Sequence, residues 1–222
     1  MSQQVSGGAG VAKASFSVED LAGKARAEVS ESVRAVLKEV VLAAVGDLAA
    51  DVDLLALGAQ EESICHRLAV YMERRTSGFH VDCEYNRYKT NPKRRSVANK
   101  RRLMKPDILL HRRLLSEFNA VALEAKANAN PDSRDGEDVS KLQELTDPQE
   151  MFHYYLGVQL TVYNERDEVI QSRQIRLRLR WCVDTKWIGE ETVALPVTDD
   201  LIEWLKGQTE DEPEDRDHRL LR

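Results

Sequence analysis

Three charged residues at the ends of two predicted strands carry the chemistry this sequence is equipped for. Pro106-Asp107 opens one strand, read as Asp107 to His111 (Asp-Ile-Leu-Leu-His), and Glu124-Ala125-Lys126 closes the next, Ala120 to Lys126, with Ser116 to Asn119 as the turn between them. The two-residue side-chain period of a strand puts Glu124 and Lys126 on one face, and Asp107, Leu109 and His111 on one face of the neighbouring strand. Carboxylate oxygens of this kind hold Mg²⁺, the metal lowers the pKa of a bound water, and an ammonium steadies the attacking hydroxide or the charge developing on phosphorus. That is the equipment of phosphodiester hydrolysis. The competing reading is a cross-strand ion pair between Asp107 or Glu124 and Lys126. Against it, a charged cluster at the ends of buried strands is costly to desolvate unless it has a task.

A second acid-x-Lys, Asp184-Thr185-Lys186, serves as an internal control. Its nearest Pro-Asp, Pro131-Asp132, lies in a polar loop some fifty positions away, so Asp107, Glu124 and Lys126 are the preferred set. Glu61 joins them on helical-wheel grounds: it falls in the stripe of Ile64, Cys65, Leu68 and Met72, where a carboxylate is expensive unless partnered, whereas Glu62 lies at the polar edge with His66. A rotated helix would instead leave Glu61 facing solvent. His66 and His111 are read as structural residues, since metal-activated hydrolysis with a lysine needs no imidazole.

Between these groups lies a strongly basic segment. Arg87 to Lys105 contains nine basic residues and no acidic one, so the rest of the chain carries −15 against a total of −6. Arg87, Lys89, Lys93, Arg94, Arg95, Arg101 and Arg102 are the candidate nucleic-acid contacts, with Tyr85 and Tyr88 able to stack on bases. A solvated surface loop is the plainer alternative.

The elements that must position these groups follow from periodicity. Val33, Val36, Leu37, Val40, Val41 and Ala44 predict a helix capped near Ser30, and a second helix spans about Ala59 to Arg74. Phe79, Val81, Cys83 and Tyr85 alternate with polar residues as in a half-buried strand, followed by a long loop or hairpin arm from Asn86 to Lys105. After the two strands above come a polar loop, Ala127 to Gly136, and a short helix marked by Val139, Leu142 and Leu145. Tyr154 to Tyr163 and Ile175 to Val183 read as strands, and Leu201 to Leu205 as the core of a last helix. The class is α/β: a mixed sheet flanked by helices.

The 222 residues are 42% hydrophobic, which suits one domain over 16–206 between a disordered lead (1–15) and an acidic tail (207–222). The net charge of −6 excludes a uniformly basic coat. No apolar run spans a bilayer and no secretory signal opens the chain, so a cytoplasmic protein is expected. Cys65, Cys83 and Cys182 are odd in number and far apart, which speaks for core thiols rather than a disulfide framework or a zinc site.

Pro106-Asp107 followed by Glu124-Ala125-Lys126 resembles the signature of the PD-(D/E)XK nuclease superfamily, over roughly Glu61 to Tyr163. The helix Glu61 to Tyr71, the strand ending Asp82 to Arg87, Pro106 to His111 and Lys141-Leu142 resemble small prokaryotic members. Gln159-x-x-x-Tyr163 is similar to a nucleic-acid contact motif of one branch, but in a strand these side chains share a face with ordinary packing neighbours, and coincidence is the better reading. The resemblance implies a restriction-endonuclease-like core in the order helix, three strands, helix, strand. It implies Asp107, Glu124 and the Ala125 carbonyl as metal ligands, Lys126 as catalytic lysine and Glu61 beside them. The expected cofactor is Mg²⁺, with Mn²⁺ able to substitute, and the expected partner is nucleic acid, DNA favoured over RNA; a homodimer is compatible with the sequence but not specified by it. The alternative is the same fold kept as a weakly active or inactive module that binds nucleic acid or protein.

Overall fold

The structure is a computed structural model that describes residues 15–17, 19, 31–88, 90–97, 100–128, 136–167, 172–197, 201, 203, 204 and 207. The expected lead, most of the acidic tail, the Ser30 cap, Lys89 and the side chains of Arg101 and Arg102 lie outside that description. In chain order the elements are β1 (Phe16–Ser17), α1 (Glu31–Ala50), α2 (Val52–Ala56), α3 (Glu61–Glu73), β2 (Thr76–Ser77), β3 (His80–Cys83), β4 (Arg87–Tyr88) and β5 (Asn91–Pro92). They continue with β6 (Arg94–Val97), β7 (Lys100–Leu103), β8 (Ile108–Arg112), β9 (Leu115–Ala127), α4 (Gly136–Thr146), β10 (Leu156–Asp167), β11 (Ser172–Val183) and β12 (Lys186–Val197).

The fold is α/β, with a mixed six-stranded sheet in the order β12-β11-β10-β9-β8-β3. Neighbours are antiparallel except β9 and β10, which run parallel and therefore need a crossover, supplied by α4. Alternation along the strands sorts the two faces. Val121, Leu123, Ala125, Val158, Leu160, Leu177, Leu179 and Trp181 join the buried stripe of α1 and the Ile64, Cys65, Leu68 and Met72 side of α3 in the main core. On the opposite face Leu142 and Leu145 of α4 pack with Met104, Leu109, Ala122, Phe152 and Tyr154. Glu124 and Lys126 share the parity of Ala122, so α4 is the helix that faces them.

Several boundaries differ from expectation for local reasons. The β8–β9 turn is Arg113-Leu114, not Ser116 to Asn119; Leu114 takes φ +71 without being glycine, so the turn carries no compositional mark and β9 is longer than predicted. β12 has no counterpart among the predicted strands. Asp184 and Thr185, with φ +46 and +68, make a two-residue hairpin turn, and the strand that follows is largely exposed and alternates only near its end, where Val193, Leu195 and Val197 pack on the core. β3 is shorter than the predicted Phe79 to Tyr85 strand, and Cys83 is exposed rather than a core thiol, while Cys65 and Cys182 are buried. Leu201, Glu203 and Trp204 are helical, in keeping with the last predicted helix. Among the described residues no helix is long and apolar enough to cross a membrane.

The basic segment is two small antiparallel hairpins, β4 with β5 and β6 with β7, inserted between β3 and β8. Two of its candidate contacts are consumed by the fold. Lys93 is only 1% exposed; its Nζ donates to the Tyr154 hydroxyl at 2.8 Å and lies 5.5 Å from the Tyr85 ring centroid. Arg95 forms an ion pair with Glu144 of α4 at 3.3 Å and donates to Ser140 Oγ at 2.9 Å. Lys93 therefore does not reach a phosphate as the charge pattern suggests, and Arg95 ties β6 to α4. Arg87 and Arg94 remain exposed.

Burial lowers the Lys93 pKa to about 7 from an ordinary value near 10.5. Between those two values the unfolded chain binds the proton that the folded chain rejects, so folding stability should rise as pH climbs from 7 to 10.5. Chemical denaturation across that range should show the rise in the native protein, and Lys93→Met should flatten it while raising stability at pH 7.

Candidate active site

The register of one hairpin builds the site. Ile108 pairs with Leu123 in the antiparallel β8–β9 ladder, so one step further Asp107 comes opposite Glu124. Asp107 is held there by the backbone of the neighbouring strand: its Oδ2 accepts the Ala125 amide at 2.7 Å. Lys126, two residues along the same face of β9, reaches Asp138 Oδ2 at 3.1 Å and Glu61 Oε1 at 3.6 Å. The structure thus brings Asp107, Glu124, Lys126 and Glu61 into one cluster, and Glu61, at the start of α3, is the half-buried and partnered group that its wheel position required.

Two further members join the cluster: Asp138, which the sequence does not single out, and Lys141, which it marks only through Lys141-Leu142 and without a role. Asp138 and Lys141, one turn apart on α4, both point into it. Lys141 Nζ is hydrogen-bonded to Glu124 Oε2 and lies 3.5 Å from both Asp138 Oδ1 and the Lys105 carbonyl. A signal for Asp138 does exist: Asp138, Leu142 and Leu145 stand at i, i+4 and i+7 and are all buried, whereas Val139, the first apolar residue of the predicted stripe, is half-buried. Gly157 lets α4 come this close to the sheet. A Cβ there would lie 3.0 Å from Thr146 Cγ2 and 3.1 Å from Cys182 Cβ.

Burial and neighbouring charge both act on these groups. Burial and the neighbouring Asp107 push Glu124 well above the usual carboxylate range, with the Lys141 ammonium opposing. Burial also raises Asp107, partly offset by the Ala125 amide and Lys141. For Lys126 burial works against the charged form, but the hydrogen bond and charge of Asp138, helped by Glu61 and Asp107, win and hold its pKa above the ordinary lysine value. Four carboxyl groups, Glu61, Asp107, Glu124 and Asp138, face two ammonium groups, and a divalent ion bound among them would favour the ionised form of Asp107 and Glu124 that burial opposes. Glu124 is 1% exposed, and its Oε1 has no hydrogen-bond partner. Among the described residues no three His, Cys, Asp or Glu side chains are grouped as a ready-made metal cage. The fit is rather to an ion such as Mg²⁺, which binds through one or two carboxylates and keeps several waters. A cleft of about 300 Å³ lined by Glu61, Glu62, Cys65, His66, Cys83, Glu84 and Asp107 opens onto the cluster.

The remaining candidates fall elsewhere. His111 is buried, with a ring nitrogen 2.9 Å from Asp82 Oδ2, and burial lowers its pKa to about 4. Asp184, of the second acid-x-Lys, lies in the β11–β12 turn and accepts from Arg34 of α1 at 3.3 Å. Gln159 sits beside Glu124 in the β9–β10 register and accepts from Arg180 at 3.1 Å, while Tyr163 is half-buried four residues on. No family model, curated protein or solved structure matches this chain.

If a divalent ion binds among these carboxyl groups, Mg²⁺ or Mn²⁺ should raise the melting temperature of the native chain. Saturation at a hundredfold excess over Kd corresponds to about 2.7 kcal/mol. Differential scanning calorimetry should show the rise in the native protein and its loss in Asp107→Ala and Glu124→Ala.

Proposed function

We propose that this chain is a metal-dependent nuclease built on the PD-(D/E)XK plan, hydrolysing phosphodiester bonds of DNA. One observation carries the reading: Asp107 is held opposite Glu124, with Lys126 two residues on, at the meeting of two paired strands. The order of elements supports it. α3, β3, β8, β9, α4 and β10 run helix, three strands, helix, strand, as a restriction-endonuclease-like core does, with β4 to β7 as an insertion.

Asp107 and Glu124, with the Ala125 carbonyl, are the groups to hold Mg²⁺ or Mn²⁺. Such an ion supplies a bound water of lowered pKa and positive charge beside the phosphate. Lys126 keeps its proton, held by Asp138 and Glu61, so it serves as a donor that orients the water and steadies negative charge rather than as a base. Asp107 is fixed by the Ala125 amide, which keeps its second oxygen available to the site. Arg87 and Arg94 on the inserted hairpins attract the phosphate backbone. Beside Arg94 a cleft of about 380 Å³, lined by Tyr88, Asn91, Pro92, Met151 and Phe152, offers aromatic surface to an unstacked base.

Incubation with Mg²⁺ and single-stranded DNA, duplex DNA or RNA tests the reading. Cleavage should be fastest on a DNA form and should fall by orders of magnitude in Asp107→Ala, Glu124→Ala and Lys126→Ala. Full activity in Lys126→Ala would overturn the assignment. Nucleic-acid binding without cleavage would make the chain an inactive binding module of the same fold.

The surviving basic residues give a separate prediction. Replacing Arg87 and Arg94 with Gln in an Asp107→Ala background should weaken binding across sequences. The slope of log affinity against log salt should flatten by about 0.7 to 0.9 for each phosphate that is no longer neutralised. Fluorescence anisotropy at several salt concentrations measures both.

A further inference from the structure

Lys141 and Lys126 do different work. Lys126 reaches Asp138 and Glu61 and forms no ion pair with Glu124, whereas Lys141 sits on Glu124 Oε2, with Asp138 Oδ1 and the Lys105 carbonyl each 3.5 Å away. Lys141 thus holds Glu124, one of the oxygen donors, with Asp107 and the Ala125 carbonyl, assigned above to a hard cation. The Lys141 side chain is 14% exposed and the Glu124 side chain 1%, so the pair is formed where screening by water is weak. An ammonium and a divalent ion cannot share Glu124 there without strong like-charge repulsion. Glu124 Oε1, buried and unpartnered, marks the side of the carboxylate that Lys141 leaves uncovered.

We propose that Lys141 is the built-in counter-ion of the carboxylate cluster and competes with the divalent metal for Glu124, so that metal binding requires the ammonium to leave. The inference rests on the metal-dependent reading above and adds a regulatory residue to it. Lys141 keeps the folded chain stable without metal and sets how much metal the site needs. Lys126, whose partners are Asp138 and Glu61, stays in place when Glu124 changes hands.

Isothermal titration of the full-length chain with Mn²⁺ tests the competition. Lys141→Met should bind Mn²⁺ about tenfold or more tighter than the native protein, Lys141→Arg should bind no tighter than native, and Lys126→Met should change affinity much less than Lys141→Met. Without metal, Lys141→Met should melt below the native protein, and saturating Mn²⁺ should close the gap. Should that variant fail to fold, the native protein supplies the test: in ¹⁵N-lysine NMR, the protected ammonium signal absent from Lys141→Arg should shift or exchange away on adding saturating Mg²⁺. Unchanged Mn²⁺ affinity in Lys141→Met, or a Lys141 signal indifferent to saturating Mg²⁺, overturns this proposal alone when the native protein binds metal and Asp107→Ala does not. Absence of Mn²⁺ binding in every variant and in the native chain overturns the metal-dependent reading and this inference with it.

Discussion

Pairing β8 with β9 in the observed register sets Asp107 against Glu124 where water is scarce, and two like charges brought together in that way must be compensated or must lose their charge. Neighbouring elements answer that demand. The Ala125 amide fixes one carboxylate and Lys141 covers the other. Asp138 and Glu61 hold Lys126 close by. α4 supplies two of these groups, and it can do so only because a parallel β9–β10 pair requires a crossover and Gly157 admits the helix to the sheet surface.

The basic hairpins obey the same economy of buried charge. Lys93 is drawn inward between two tyrosines, where it loses most of its preference for the proton, and Arg95 is spent on Glu144 and Ser140. These two anchors fasten the insertion to the core. What a formal charge count presents as nine equivalent cations is a mixture of structural ties and outward-facing arginines.

Alternation and helical spacing made α1, α3, β8, β9 and most of β10 and β11 legible, because those segments bury one or both faces and their apolar residues record it. Asp107, Glu124, Lys126 and Glu61 were legible for a related reason, as charges in positions where the pattern calls for apolar side chains. Lys141 stood out only within Lys141-Leu142 and its role did not, because a lysine on an amphipathic helix looks like solvent-facing charge until the carboxylate it meets, on another element, is known. Asp138 is hidden when the α4 stripe is read from Val139. The turns at Leu114 and Asp184-Thr185 escaped because φ > 0 is imposed there by hairpin closure rather than by glycine. β12 escaped because most of its length is exposed and the two-residue period survives only at Val193, Leu195 and Val197, where Pro196 interrupts it.

β12 is also the outermost strand of the sheet, and a twelve-residue edge of that kind is a template on which another molecule could continue the ladder. Its sequence works against such growth. Pro196 contributes no amide donor, Glu190 and Glu191 place adjacent negative charges on the strand, and the register slips opposite Trp181 and Cys182, beside Gly189 at φ +154. The opposite edge, β3, is only four residues long. A sheet finished in this way at both sides resists edge-to-edge association, which guards a chain with a long exposed strand against aggregation.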